Sequence, residues 1–193
     1  MKTFFLIFLA AFFTGQLSAQ NISYTNTGNT NNHLFYADLI GKTVNLKGDL
    51  GLLGGMRAGY NLSENLSLGL VAHGLIPEKL GKSYINQKGR DELHLGYGGA
   101  EVSYKYNLSD NLYLTGMTMI GAGRVDYEIL SGNDYFFIVE PGASINYMFT
   151  NYFGLGYSLN YRVASGVKYA DLSDASLSGW SMALDFKFGF NIF

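Results

Sequence analysis

The chain is predicted to be an all-β protein: an eight-stranded antiparallel transmembrane β-barrel with up-and-down topology. Three observations carry this. Hydrophobicity alternates with period two along most of the 193 residues. A nine-residue turn sequence occurs three times. The composition combines 25 Gly, 15 Tyr and 14 Phe with only 15% charged residues, where soluble domains carry about 25%.

The chain opens on an export address. Lys2 precedes an unbroken apolar run from Phe4 to Phe13, and Leu17, Ser18 and Ala19 then offer a small-residue cleavage site. This is the pattern of a secretory signal peptide over residues 1–19. Ten apolar residues are too few to span about 30 Å of hydrocarbon as a helix. Residues 20–32 form an Asn/Thr-rich polar lead, and the barrel is assigned to 33–193. With no Cys, neither a disulfide framework nor acylation is available.

The strands follow in order. The first, from His33 to about Leu46, has poor alternation. Leu50, Leu52, Met56, Ala58 and Tyr60 alternate with Asp49, Gly51, Gly55, Arg57 and Gly59, and Leu66, Leu68, Leu70 and Ala72 continue the pattern in the third strand. In residues 91–107 the apolar parity changes from Leu93, Leu95 and Tyr97 to Ala100, Val102 and Tyr104, which predicts a β-bulge at Gly98-Gly99. Residues 111–124 are ambiguous, because Met117 and Met119 oppose Ile120 and Ala122. Pro141 cannot donate to a ladder, so the sixth strand should be distorted there. Phe153 to Val163 and Trp180 to Ile192 alternate strictly.

The topology comes from the repeat. Residues 60–68 (YNLSENLSL), 106–114 (YNLSDNLYL) and 147–155 (YMFTNYFGL) each read as a strand end, a tight turn and a strand start. Longer polar stretches lie between them at 77–90, 125–134 and 165–177, so short turns sit at one end and long loops at the other.

Alternation alone does not say which face looks inward. Here the non-apolar face is rich in Gly, Ser and Asn, which suits a cramped interior better than a solvated exterior. Aromatics collect near the turns (Tyr60, Tyr106, Tyr147, Phe153, Phe190) and near the loops (Tyr135, Tyr161, Trp180), as girdles do at the two interfaces of a membrane barrel. The apolar face therefore meets lipid. Arg57, Glu101, Lys105, Glu140, Arg162, Asp185 and Lys187 then point into the lumen, four positive and three negative charges. Unpaired, they would be costly, so a connected network is expected, with glycines at 51, 55, 59, 69, 154, 156 and 189 making room for the Arg and Lys stems. Counting along the hairpin centred near Asn151 sets Glu140 opposite about position 161 or 162, which makes Glu140 and Arg162 near cross-strand neighbours able to share charge-assisted hydrogen bonds.

Catalytic chemistry is not signalled. Ser103, His94 and Glu101 could be drawn as a triad, but their spacing does not require one. Asp171 and Asp174 lack calcium-loop spacing. No metal, cofactor or catalytic residue is assigned, and a net charge of −2 gives no footprint for nucleic acid.

The closing segment, residues 185–193 (DFKFGFNIF), ends on an aromatic. It resembles the C-terminal signal of Gram-negative outer-membrane β-barrels, which implies that Phe186, Phe188, Phe190 and Phe193 are read by the barrel-assembly machinery. Residues 95–101 (LGYGGAE), 136–143 (FFIVEPGA) and 161–167 (YRVASGV) resemble a family of small eight-stranded outer-membrane barrels of unassigned function, of the OmpA/OmpX-like porin superfamily, across residues 33–193. The resemblance implies residence in the cell outer membrane with both termini periplasmic. The expected role is non-enzymatic, structural or surface-interacting, with a plugged lumen. A narrow porin-like channel for small solutes is the alternative, and a lipid-modifying enzyme the third reading. Expected partners are outer-membrane lipids, the assembly machinery during biogenesis, and an extracellular ligand met by the long loops.

Overall fold

The computed structural model describes residues 34–46, 49–76, 93–127, 132–169 and 172–190. The expected signal peptide and polar lead, Phe193 and the first long loop at 77–90 lie outside them. Eight strands run in chain order: β1 (Phe35–Leu46), β2 (Asp49–Asn61), β3 (Leu66–Leu75), β4 (Leu93–Asn107), β5 (Leu112–Tyr127), β6 (Asp134–Met148), β7 (Phe153–Ser165) and β8 (Gly179–Phe190). A single-turn helix, α1 (Asp174–Leu177), lies between the last two. Each strand pairs antiparallel with the next, and β8 pairs with β1 to close the barrel. No sheet edge is left open, which lets a strand structure sit in lipid with its backbone groups satisfied.

The three repeated turns have one hydrogen-bond pattern. The N–H groups of Leu62 and Ser63 donate to the Leu66 carbonyl at 2.9 and 3.1 Å, and Leu108 and Ser109 do the same to Leu112, as do Phe149 and Thr150 to Phe153. In the first and third the hydroxyl helps: Ser63 Oγ accepts from Leu66 N–H and Thr150 Oγ1 from Phe153 N–H, each at 3.0 Å, the local bond that makes Ser and Thr good turn formers. The opposite end carries the long connections and one short one, since β1 passes to β2 through residues 47 and 48 alone.

Following the register once round the barrel returns to β1 ten residues further along. Eight strands with that shear tilt by about 40°, and their interior is just wide enough for side chains to fill. The outer wall is apolar: Met56, Leu70 and Trp180 are each more than 60% exposed, beside Leu39, Leu68, Ile120, Phe137 and Met182. Tyr60, Tyr106 and Tyr147 stand exposed at the turn end, with Phe35 edge-on to Tyr60 at 5.3 Å, while Tyr161 packs edge-on to Trp180 at 5.0 Å nearer the loops. No helix among the described residues is long and apolar enough to cross a membrane; the strands make the crossing.

Two local expectations fared differently. The ladder between β6 and β7 opens at Glu140 and Pro141 and resumes at Gly142 in the same register, as expected of a residue with no N–H. The β-bulge at Gly98-Gly99 is absent. Val71, Ala72 and His73 pair without interruption with Gly99, Gly98 and Tyr97, and on the other side Gly121, Ala122 and Gly123 do the same. The strand keeps its parity, and it is the lumen that changes from polar to apolar on the way up. Leu93, Leu95 and Tyr97 are buried inside, whereas Ala100, Val102 and Tyr104 face out. The parity of β5 is likewise constant, with Met117 and Met119 inside and Ile120 outside.

The glycine pair answers to a close approach of two backbones. A Cβ on Gly99 would strike the Ile120 carbonyl and lie 2.6 Å from Gly121 Cα, and one on Gly121 would strike the Gly98 carbonyl. A Cβ on Gly41, by contrast, would meet nothing within 4 Å. Gly121→Val should therefore abolish the heat-modifiable folded band on gels, while Gly41→Val should leave it intact. Equal folding of the two variants would refute the close approach.

Candidate functional site

The candidate site is the lumen, which the register arranges in layers from the turn end upward. The lowest holds a cavity of about 110 Å³ whose lining includes Lys105, Tyr113, Thr115 and Ser144. Lys105 Nζ lies 4.6 Å from the Tyr113 ring centroid, a cation–π contact.

Above it Arg57 sits among three carboxylates. Its Nη1 is 2.8 Å from Asp38 Oδ2, its Nε 2.8 Å from Glu101 Oε1, and Asp185 Oδ2 lies 3.9 Å from Nη1. Lys187 Nζ donates to the same Asp38 oxygen at 3.0 Å. A planar guanidinium with five donors suits such a position, because one side chain can serve several acceptors in fixed directions.

The next layer is tied across the barrel. Lys42 of β1 pairs with Glu140 of β6, and Tyr97 of β4 joins them: Lys42 Nζ donates to the phenol oxygen at 3.2 Å, and that hydroxyl donates to Glu140 Oε2 at 3.1 Å. Lys42 is 2% exposed and Glu140 6%. Arg162 lies over the Tyr97 ring, 5.6 Å from its centroid, and its Nε donates to the Leu177 carbonyl of α1. His73 packs on the Tyr97 ring as well, at 5.0 Å between centroids. Between this layer and the Arg57 layer is a void of about 10 Å³ lined by Lys42, Arg57, His73, Glu140 and Asp185, room for about one water molecule.

The top of the lumen is apolar. Val44, Leu53, Leu95, Val125, Phe136 and Ile138 are buried there and form one cluster with Val167, Leu172 and Leu177 from the β7–β8 connection. That connection is fixed by its own polar groups: Asp174 Oδ1 accepts from Val167 N–H at 2.7 Å, Ser178 Oγ accepts from Ala164 N–H at 3.0 Å, and Tyr169 OH donates to the Gly132 carbonyl at 2.9 Å.

All seven charges assigned to the lumen by alternation face inward. Arg57, Glu101, Asp185 and Lys187 share one cluster, Glu140 and Arg162 meet around Tyr97, and Lys105 stands apart on Tyr113. Two participants were missed, Asp38 and Lys42. They lie on β1, where Ile40 and Val44 share their inward face while Gly41, Thr43 and Asn45 share the outward face of Leu39, so both faces mix polar and apolar residues. The residue spacing Asp38-x3-Lys42 was the available signal.

Two expected contacts are replaced. The register does set Glu140 opposite Arg162, yet the ladder is open there and the carboxylate turns across the lumen to Lys42 and Tyr97. The glycines make room for other groups than Arg and Lys stems. Gly59 and Gly69 face the Tyr36 hydroxyl, Gly55 faces His73, and Gly156 faces Asn146. Rings and amides, being rigid and broad, demand the missing Cβ more than flexible stems do.

The residues drawn as a triad are not assembled. His94 is exposed on the outer face, 3.4 Å from Asp126, whereas Ser103 and Glu101 face inward and Glu101 is held by Arg57. Of the calcium candidates, Asp174 binds Val167 N–H and Asp171 lies outside the described residues. Among the described residues no group of three His, Cys, Asp or Glu side chains is placed to hold a metal ion. Of the assembly-signal residues, Phe186 and Phe188 sit on the outward parity of β8, the Phe190 side chain is outside the described set, and so is Phe193.

No protein-family model and no curated protein sequence matches this chain. Solved structures do. The N-terminal β-barrel domain of Pseudomonas aeruginosa OprF aligns with a TM-score of 0.55 and 18% identity, covering 81% of this chain and 96% of that one. The fold is that of a small outer-membrane β-barrel. Neisserial surface protein A (NspA) aligns with a TM-score of 0.58 and 14% identity, over 81% and 97% of the two chains. At these identities the likeness concerns architecture, and the layered lumen of this outer-membrane-type barrel has to be understood from its own residues.

The Lys42–Glu140 pair is the test of that layering. Breaking a buried pair from one side leaves an uncompensated charge, at a cost of about 3–5 kcal/mol. Glu140→Gln and Lys42→Met should each lower stability in urea titrations of the vesicle-embedded barrel, and the double variant should recover part of the loss. Contacting residues typically show about 0.5–3 kcal/mol of such coupling; strictly additive losses would show that the pair is not formed.

Proposed function

We propose that this protein is a non-enzymatic, non-conducting barrel of the cell outer membrane whose outer loops make surface contacts. The observation that carries this is the cross-lumen layer of Lys42, Glu140, Tyr97 and Arg162, roofed by the apolar cluster under α1. A solute path would have to separate the buried ion pair and then cross the apolar cluster. Both steps oppose steady conduction, the first by desolvation and the second because an apolar constriction excludes water and ions.

The apolar outer wall and short turns opposite long loops support residence in an outer membrane with the termini periplasmic, in the orientation such barrels adopt. Export would remove residues 1–19, and the aromatic C-terminal strand would be read by the assembly machinery. The cavity beside Lys105 favours a second, narrower reading, a pore for small solutes, because it gives polar volume at the turn end. That reading requires the Lys42 layer to move.

Planar-bilayer recording separates the two. The purified barrel should show no steady open channel at moderate voltage, whereas a reproducible unitary conductance would overturn the plugged reading. Opening of a channel only in Lys42→Ala/Glu140→Ala would locate the block in this layer.

A further inference from the structure

On the outer wall of β4 and β5, toward the loop end, three polar side chains form a cluster. Arg124 Nε donates to Asp126 Oδ1 at 3.1 Å, and His94 Nδ1 lies 3.4 Å from Asp126 Oδ2. His94 pairs directly with Asp126 in the ladder, and Arg124 pairs with Tyr135 of β6 on its other side. Arg124 is half exposed at its side chain and Tyr135 is 65% exposed.

The height of this cluster decides what it meets. With a rise of about 3.3 Å per residue and a tilt of about 40°, the register places Arg124 about 27 Å above Phe35 along the barrel axis. Phe35 and Tyr60 belong to the turn-end girdle, and the apolar band of such barrels is about 25 Å tall. Arg124 therefore stands at the far edge of the hydrocarbon, at the level of lipid headgroups. Directly below it on the same face are Ala122, Ile120 and Phe137, all exposed and apolar. Among the described residues Leu50, Ile76 and Ser165, at the same height elsewhere on the wall, are exposed and uncharged.

Asp126 fixes the guanidinium by its Nε edge, and among the described residues its two terminal nitrogens have no protein partner. Two free N–H donors in a fixed plane match the oxygens of a phosphate. We propose that Arg124, positioned by Asp126 and with Tyr135 as its ladder neighbour, binds the phosphate of a lipid in the outer leaflet, whose acyl chains lie along Ile120 and Phe137. This rests on the membrane-spanning reading of the barrel and adds to it a defined lipid site. The two terminal donors that Asp126 leaves unused select a phosphate, and the apolar wall directly beneath selects one that carries acyl chains.

Native mass spectrometry of the detergent-folded protein titrated with phosphatidic acid tests this. The wild type should retain one phosphatidic acid at low lipid concentration, and millimolar inorganic phosphate should not displace it. Arg124→Ala should weaken retention about tenfold, as loss of a charge-assisted pair does, and Tyr135→Phe should weaken it less. Equal retention by wild type and Arg124→Ala would overturn the site, and displacement by inorganic phosphate alone would replace the lipid by a free anion. A heat-modifiable band recorded for each protein first keeps the two readings apart: its absence in the wild type would strike at the barrel, whereas its presence with no lipid retained would strike at this site alone.

Discussion

A carboxylate and an ammonium that both leave water must find each other, and in this barrel the pair that does so spans the lumen. Lys42 and Glu140 come from strands that face each other across the barrel and meet with Tyr97 from a third. An isolated buried ion would cost many kcal/mol, so once these residues are inside, the closure, shear and inward parity of the strands that carry them are constrained together. A slip of one residue in β1 or β6 would turn the charge into lipid, since successive side chains point to opposite faces.

The same constraint organises the lumen by height. Arg57 gathers Asp38, Glu101 and Asp185 near the middle, and Lys187 adds a second cation on Asp38. The Lys42 layer lies above it, and over that the β7–β8 connection delivers Val167, Leu172 and Leu177 to an apolar cluster. Arg162 links the two regimes, stacked on Tyr97 below and donating to the Leu177 carbonyl above. The barrel is thus a small protein core wrapped in a sheet whose outer surface suits lipid.

Much of this was legible in the sequence, and the failures have one cause. Strands whose inward positions are Gly, Ser, Asn and charges, such as β7 and β8, read cleanly because inside and outside differ in polarity. Where the lumen itself is apolar that contrast vanishes. Leu93, Leu95 and Tyr97 then look like a lipid face, and the return to Ala100 and Val102 mimics a bulge. In β1 the inward face carries Asp38 and Lys42 beside Ile40, Val44 and Leu46, so two network members were hidden among apolar neighbours. The Glu140–Arg162 contact failed for another reason: register gives the opposing residue, but long side chains choose partners across a narrow lumen as readily as along a hairpin.

The central claim is that the Lys42 ammonium is sealed from water by a bond to Glu140. Nitrogen-15 NMR of selectively labelled lysine in lipid nanodiscs tests it directly, because ammonium protons in fast exchange with water are not observed. The Lys42 ammonium should give a resolved, slowly exchanging signal that disappears in Glu140→Gln, while exposed Lys168 gives none. A Lys42 signal lost to exchange as fast as that of Lys168 would contradict the account.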